Sequence, residues 1–545
     1  MLKDTVNMSI ENQKSHRLII FMLFVFTVII YSNSFDASWH FDDTSNITEN
    51  SRMQLSKITW DNIINVFYAA PNNPDYLYRP VASLTLALNW YFGKNAVFGY
   101  HIVNTSIHII TAIFLYFAVL QLFRTPVLKK YDENTRIFTA ALSAFLWAIN
   151  PVQVQAVTYI VQRMASMAAM FYIIAIFYYL KGRLDFSKKR QALFFAIALL
   201  SYLLSFGSKQ NGIMLPFALL LIEILFFNFS IKFPSTKTQW FILLLGLFTI
   251  SLILFTEIFD RIDFDHPEQR AFTAGQRFLT EFRVVIFYIS QILYPIASRF
   301  SIVHDFHIST SILNPLSTFF SILSIIFLIV FAVMLRKKSP ALTFAILFFF
   351  LNHIIESTFI PLEIVFEHRN YLPSLFLFFP ISIGLYQVLN YYKQKNKFIF
   401  FSISGFITCL IILTGFSTYI RNFDWETEES LWLDAMNKAP ESARAYQNYA
   451  KAFIDRHEAN KSANNAIYDY YFNLNRESLD KIVVSAHVRR DFVAYSNMAA
   501  ARSSQKNFSD ALFYIKKAHE VFPGNSKSIS SLAKMYLMNG DEKKH

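Results

Sequence analysis

Apolar runs of roughly the 20 residues that a bilayer span requires recur along this chain at 17–35, 100–123, 136–150, 163–180, 191–206, 211–229, 239–258, 314–335, 341–360, 371–390 and 398–418. The pattern predicts an all-α, polytopic membrane bundle of about 11 spans. Basic residues gather between alternate runs, at Lys14 and Arg17, at Arg124, Lys129, Lys130 and Arg136, at 181–190, at Lys232 and Lys237, at 336–338 and at 393–397. Such clusters mark cytoplasmic loops. The loop 36–78 then lies outside, and 259–313 must begin and end outside. A further stretch, 278–297, carries Glu281 and Arg283 near its start, so it is expected to be re-entrant or interfacial rather than to cross.

Beyond Phe416 the pattern becomes soluble and helical. On a 34-residue tetratricopeptide template, 492–525 places Tyr495, Met498, Ala499, Ala511, Ala518 and Pro523 at the key positions, and Ile529, Leu532, Ala533 and Tyr536 repeat the register. An earlier unit after Pro440 offers Tyr446, Tyr449, Ala450 and Phe453, preceded by Ala435. Its second helix reads as irregular, with an insertion after it. Small residues at the alanine positions let paired helices approach closely. The expected division is a membrane domain over 1–420 and a repeat domain over 421–545 on the non-cytoplasmic face.

Composition narrows the class further. Hydrophobic residues make up 54% of the 545, with 60 Phe and only 12 Gly, which excludes an ordinary soluble enzyme. The net charge of +12 sits in the short loop clusters, so it reads as topology and not as a nucleic-acid surface. Cys409 is the lone cysteine, and no intrachain disulfide can form. No small-residue cleavage site follows the first apolar run, which reads as a retained span.

Chemistry is expected at the outer ends of the spans. Trp39-His40-Phe41-Asp42-Asp43 are the first polar residues after the first long apolar run, and two adjacent carboxylates beside a membrane cost desolvation and repulsion unless their charge is used. The plainer reading is a solvated turn capping a helix from Thr44. Arg79, His101, Asn104, His108, Gln162, Arg163, Lys209, Arg283, His304, Asp305, Glu367, His368 and Arg369 fall at the same ends. His101 and His108 stand two helical turns apart and cannot share one metal. His304-Asp305-Phe306-His307 lacks a regular ligand spacing, and no metal set is assigned. Glu223, Glu257 and Glu356 read as structural polar contacts.

In order, the chain carries Phe41-Asp42-Asp43, Tyr78-Arg79-Pro80-Val81, Gly99-Tyr100-His101 with Asn104 and His108, Pro151-Val152-Gln153, Gln162-Arg163-Met164, Ser208-Lys209, Gln276-Arg277 with Thr280 and Arg283, and Phe366-Glu367-His368-Arg369-Asn370-Tyr371-Leu372-Pro373. This ordered set, with the repeats, resembles the transmembrane and tetratricopeptide-repeat O-mannosyltransferases and their bacterial relatives within the GT-C glycosyltransferase superfamily, from about residue 20 onward. Two positions depart from the family pattern: Asn150 stands where relatives carry His before Pro-Val-Gln, and Gln210 where they carry Glu after Ser-Lys.

The resemblance implies a sugar, with mannose indicated, carried on a polyprenyl or dolichyl phosphate and moved to a hydroxyl acceptor such as Ser or Thr of a protein. A carboxylate must take the acceptor proton, and cations must stabilise the leaving phosphate. Asp43, with Asp42 beside it, is expected as the base or acceptor-fixing group; which of the two acts stays open. Arg369 is expected on the phosphate, followed by Arg163, Arg283 and Lys209, with Arg79 and Glu367 also binding the donor's phosphate or sugar and His368 and His101 orienting sugar or phosphate oxygens. Tandem aspartates and Arg369 should therefore meet at the outer rim of one bundle. No cofactor is assigned, and a divalent cation stays open. The expected partners are the lipid-linked sugar, a protein acceptor and membrane lipid.

Bias toward Phe, Ile, Asn and Lys fits an AT-rich genome; by itself it does not decide between a bacterial inner membrane, which is the expectation, and the endoplasmic reticulum, which applies if the source is eukaryotic. A membrane-anchored repeat scaffold leaves unexplained why polar residues gather on one side. A transporter predicts broken helices and repeated halves, which the sequence does not display. Truncation near 430 is expected to spare transfer onto short peptides and to lose transfer onto proteins.

Overall fold

A computed structural model describes residues 10–71, 76–227, 272–360, 362–481, 490–523 and 526–538. The apolar run 239–258, with Lys232, Lys237 and Glu257, lies outside the described residues. In chain order the helices are α1 (Ile10–Ile30), α2 (Trp60–Phe67), α3 (Pro80–Gly93), α4 (Val97–Phe123), α5 (Glu133–Ala148), α6 (Val154–Val157), α7 (Arg163–Leu184), α8 (Lys188–Ser208), α9 (Leu215–Phe226) and α10 (Ala274–Leu293). Then follow α11 (Leu316–Leu335), α12 (Pro340–His353), α13 (Phe378–Lys395), α14 (Lys397–Phe423), α15 (Glu428–Lys438), α16 (Ala443–Ala459), α17 (Asn465–Asp480), α18 (Arg490–Ser504), α19 (Phe508–Val521) and α20 (Ser526–Met538). No strand occurs among the described residues. The molecule is an all-helical membrane protein.

Each apolar run that falls on described residues contains most of a helix, though the run 341–360 is helical only to His353 and the run 371–390 enters its helix at Phe378. Seven are long and apolar enough to cross a membrane, and α5 with the segment Pro151–Val157 makes an eighth if the 54° bend between them lies within one span. Gln210–Phe226 and Pro340–His353 are shorter apolar helices. The amphipathic α10 is not among the seven, because Arg277, Glu281 and Arg283 interrupt it. Helix α3, apolar but only 14 residues long, is an element that the runs did not predict.

Local chemistry sets the ends. Asp132 accepts from Thr135 N at the start of α5, Thr273 and Gln276 form a capping box at α10, and Thr427 with Ser430 does the same at α15; such caps satisfy the orphan amides of a first turn. Pro80, Pro151 and Pro340 occupy first-turn positions, where their missing N–H costs nothing.

Helices α4 and α7 form the centre. Arg163, fully buried, donates from Nε to Asn104 Oδ1 (2.6 Å), from Nη1 to Thr85 O (3.1 Å) and from Nη2 to Tyr100 O (3.1 Å), tying α7 to α3 and α4. His108 bonds Tyr371 Oη (2.8 Å) and Ala148 O (2.9 Å). By contrast α11 and α14 are apolar yet exposed, with Phe327, Met334, Phe401 and Phe406 all more than half accessible. Surface of that kind is tolerated against lipid.

After α14 the helices pair as α16/α17 and α18/α19, with α20 following. Tyr449, Ala450, Met498, Ala499, Ala511 and Ala518 are buried at their crossings, as the repeat register requires. Helix α17, read from sequence as irregular, is a continuous 16-residue helix. It buries Tyr471, Phe472 and Leu474, and the buried Asn475 and Ser478 sit on the same face. Their polarity had masked the stripe.

Candidate functional site

The structure separates the two adjacent aspartates. Asp43 is fully buried, and it accepts from His40 N on Oδ2 (3.0 Å) and from Val161 N on Oδ1 (2.7 Å). Burial pushes its carboxyl well above the ordinary carboxylate range, although both amides pull it down. It is neither a solvated turn nor a cap on the residues from Thr44: with both oxygens committed to the backbone, it locks the loop. Asp42 stays partly accessible. Its amide donates to Tyr159 Oη (2.7 Å), the same phenol hydrogen-bonds its carboxylate, and its carbonyl accepts from Asn46 Nδ2 (2.8 Å). Burial also raises the Asp42 carboxyl, with Arg444 and Tyr159 opposing. Phe41, just before it, takes a left-handed φ of 43°, a conformation that costs a bulky residue about 1–3 kcal/mol.

A line of polar groups runs from Asp42 to the cations. Asn46 accepts from Tyr78 Oη (3.3 Å), and Tyr78 Oη in turn accepts from Arg79 Nη1 (3.3 Å). Arg79, at φ 44° before Pro80, also reaches Met164 Sδ and donates from Nε to Gln210 Oε1 (3.4 Å). Lys209, next to Gln210, pairs with Glu356 at 2.5 Å with both side chains buried. The charge of Arg79 is felt at Asp42, Lys209, Glu356 and His368. Arg369 in turn acts on Lys209, Glu356 and His368, so these residues form one electrostatic cluster.

Within it, Arg369 is buried. The one hydrogen bond of its guanidinium among the described residues runs from Nη1 to Ile364 O (3.0 Å). The other donors of the fork have no hydrogen-bond partner there, though the guanidinium lies over the Phe366 ring. His368 N donates to Gln155 Oε1 (2.8 Å), which identifies that atom as the oxygen; His368 Nδ1, 3.2 Å from it, must then carry the proton. Nε2 is left with its lone pair. Burial first, then Lys209 and Arg369, hold this imidazole neutral by lowering its basicity.

Four residues expected at the site make bonds within the fold. Arg163 is consumed by the α3–α4–α7 knot, because its burial demands hydrogen bonds that nearby carbonyls supply. Arg283 donates to His307 O (2.7 Å) and lies over the Phe306 ring, so it holds the 304–309 loop. His101 Nε2 bonds Ala37 O (2.9 Å). Glu367 accepts from Ser301 N (2.8 Å) and pairs with His304 Nε2 (3.0 Å). Among the described residues no three His, Cys, Asp or Glu side chains converge as metal ligands.

Sequence reasoning missed Glu356 as a partner of Lys209, and also Tyr159, Gln155 and Arg444. From sequence Glu356 reads as a structural polar contact, and Gln155 lies two residues past a quoted motif; Tyr159 and Arg444 carry no sequence signal. Asn150, which departs from the family pattern, caps the Pro151 turn through Val152 N (3.1 Å) and donates to Ile292 O (3.0 Å). Gln210 leaves Arg79 facing an amide in place of a carboxylate.

The Lys209 turn depends on Gly212. A Cβ there would lie 2.8 Å from Phe206 N and 2.9 Å from Ser205 C, backbone atoms that cannot swing aside. Gly212→Ala is therefore expected to cost about 1–3 kcal/mol and to lower the melting temperature of the detergent-solubilised protein; an unchanged melt would show that this turn yields.

Beside the cluster, α9, α10, α11 and α12 line a cavity of about 570 Å³. Its wall is largely apolar, with Leu220, Ile224, Phe278 and Ile354 exposed, while Glu281, His353, Ser357 and Thr358 make it polar in part. Glu281 and His353 both feel the charge of Arg369, so the polar part of this wall adjoins the cations.

No protein-family model matches the chain, and no solved structure does. Among curated proteins it is similar to the protein O-mannosyl-transferase F38B6.6 of Caenorhabditis elegans, with 22% identity over 475 residues that cover 82% of this chain and 62% of that protein. It is also similar to the protein O-mannosyl-transferase TMTC3 of Homo sapiens, with 22% identity over 521 residues, 88% of this chain and 53% of the relative. A shorter match, 25% identical over 170 residues, is to human TMTC4 and covers 30% of this chain and 23% of that protein. The chain thus spans a little over half the length of the first two.

Proposed function

We propose that this chain, a relative of the TMTC protein O-mannosyl-transferases, is a membrane glycosyltransferase that moves a sugar, mannose by kinship, from a polyprenyl-phosphate donor to a hydroxyl of a protein Ser or Thr. The observation that carries the reading is the cation cluster: Arg79, Lys209 and Arg369 gather around Glu356, which pairs with Lys209, while the other two carboxylates whose charge reaches Arg369, Glu281 and Glu363, are paired with Arg277 and Arg444; the cluster adjoins an apolar cavity lined in part by Glu281 and His353. A phosphate that gains charge as it leaves needs such a surplus. The cavity suits an isoprenoid tail.

In this reading Asp42, and not Asp43, takes the proton from the acceptor oxygen as that oxygen bonds to the anomeric carbon. The bond from that carbon to the phosphate oxygen breaks, and its electron pair leaves with the lipid phosphate, where Arg369 receives it with Lys209 and Arg79 in support. His368 Nε2 accepts from a sugar hydroxyl. Reaction on the non-cytoplasmic side follows from the basic loops. The proposed division keeps the membrane domain at 1–420 and the repeats, at 421–545, beside the acceptor.

The test is to incubate purified protein with a panel of polyprenyl-phosphate sugars and Ser/Thr peptides and to read the products by mass spectrometry. A glycosylated peptide from the mannosyl donor is expected; no product from any donor would end the reading.

A further inference from the structure

The repeat domain touches the Asp42 loop at several points. Glu428 of α15 accepts from Phe41 N (3.3 Å) and bonds His40 Nδ1 (3.0 Å) and Trp432 Nε1 (2.7 Å). Trp432 meets the Phe41 ring edge-on at 5.6 Å. Glu441 N donates to Asp305 Oδ2 (2.8 Å). Three residues later in this docking edge comes a charge that faces the site: Arg444, second residue of α16 and 7% exposed.

Its guanidinium lies 5.5 Å from the centre of the Phe41 ring, and Nη2 donates to Glu363 Oε1 at 2.6 Å. Glu363 belongs to a segment gripped elsewhere. Arg277 donates to Leu362 O (3.1 Å) and Glu363 O (3.4 Å), and Ile364 O receives Arg369 Nη1. One side chain therefore joins the strained turn before Asp42 to the backbone that aims Arg369. A packed bridge of this kind can carry coupling between two groups.

We propose that Arg444 is a positioning residue of the transfer reaction, through which the repeat domain sets the placement and charge environment of Asp42 relative to Arg369. The inference rests on the transferase reading above. Truncation near 430 then removes Arg444 together with Trp432, and transfer onto short peptides is lost along with transfer onto proteins, against the expectation from sequence.

The charged and titratable groups facing Asp42 are Arg444 from α16, Glu363 from the 362–369 segment, Arg79 from the start of α3, Tyr159 before α7 and Asp43 beside it, which in turn faces Glu428 of α15. Removing a cation raises an acid and removing an anion lowers it. Arg444→Gln should move the acid limb of kcat/KM to higher pH, since the base stays protonated further up; Glu363→Gln should move it to lower pH. Both should lower kcat by about 10²-fold, the cost of a misplaced catalytic group, and Arg444→Lys should restore the limb but not the rate.

Asp42 titration is read directly in the full chain, as the infrared carboxyl difference between each background and its Asp42→Asn derivative, so the result does not depend on turnover. Opposite shifts in the two variants support the inference. Unmoved titrations, or shifts of one sign in both, overturn it, as would a kcat for Arg444→Gln equal to wild type. If the wild type transfers no sugar while the titrations still split, the transferase reading fails and the charge coupling stands. Should Arg444→Gln not fold, Glu363→Gln alone decides by its sign.

Discussion

Asp42→Asn is expected to lower transfer by about 10²- to 10⁴-fold, the range for loss of a general base, while the protein folds and melts as wild type. Asp43→Asn should show the reverse emphasis, a fall in stability first and in rate only as a consequence. The carboxylate of Asp43 offers one acceptor to each of two backbone amides. An amide of the same shape keeps one acceptor and turns an N–H toward the other donor. A buried donor left unmade costs about 1–3 kcal/mol, and His40-Phe41 would shift with it. Melting in detergent and single-turnover transfer with purified lipid donor separate the two variants. If Asp43→Asn were inactive yet fully stable while Asp42→Asn worked normally, the roles assigned here would be exchanged.

Arg369→Ala is the second large effect. Donors of its guanidinium left without a hydrogen bond among the described residues are the ones that a phosphate would engage, so their loss is expected to reduce kcat/KM for the donor by about 10²- to 10³-fold with the acceptor KM little changed. Arg369→Lys should recover only part, because a point charge lacks the planar fork. Arg163→Met is the contrast. Its effect should appear as lost stability of the α3–α4–α7 knot, since Asn104 and the carbonyls of Thr85 and Tyr100 would lose their donor. Steady-state kinetics at saturating acceptor, with melts of the same preparations, distinguish the two; unchanged donor kinetics in Arg369→Ala would remove it from the phosphate.

Membrane architecture was legible in the sequence because lipid imposes a long-period rule, and the helices α1, α4, α7, α8, α11, α13 and α14 obey it. The repeat helices were legible through small residues at fixed spacing, most clearly around Ala499, Ala511 and Ala518. Helix α3 was hidden by its 14 residues, and α17 by Asn475 and Ser478 on its inner face. For the candidate site, the ordered motifs brought Asp42, Arg79, Lys209, His368 and Arg369 forward together. They brought Arg163, Glu367 and His101 forward on the same terms, because a buried ion reads alike in sequence whether it binds a ligand or holds a helix.

By itself, then, the sequence determined that the chain is helical, where its apolar helices run, and which ionisable residues crowd one end of them. Only the tertiary structure decided which of those groups keep unused valence. A buried charge must find partners wherever the fold supplies them. Partners such as Val161 N for Asp43, Tyr100 O for Arg163 or Ser301 N for Glu367 are main-chain groups, which every residue carries and no sequence pattern marks. The same holds for Arg444, whose place beside Asp42 is set by how α15 and α16 dock, hundreds of residues from the loop that they complete.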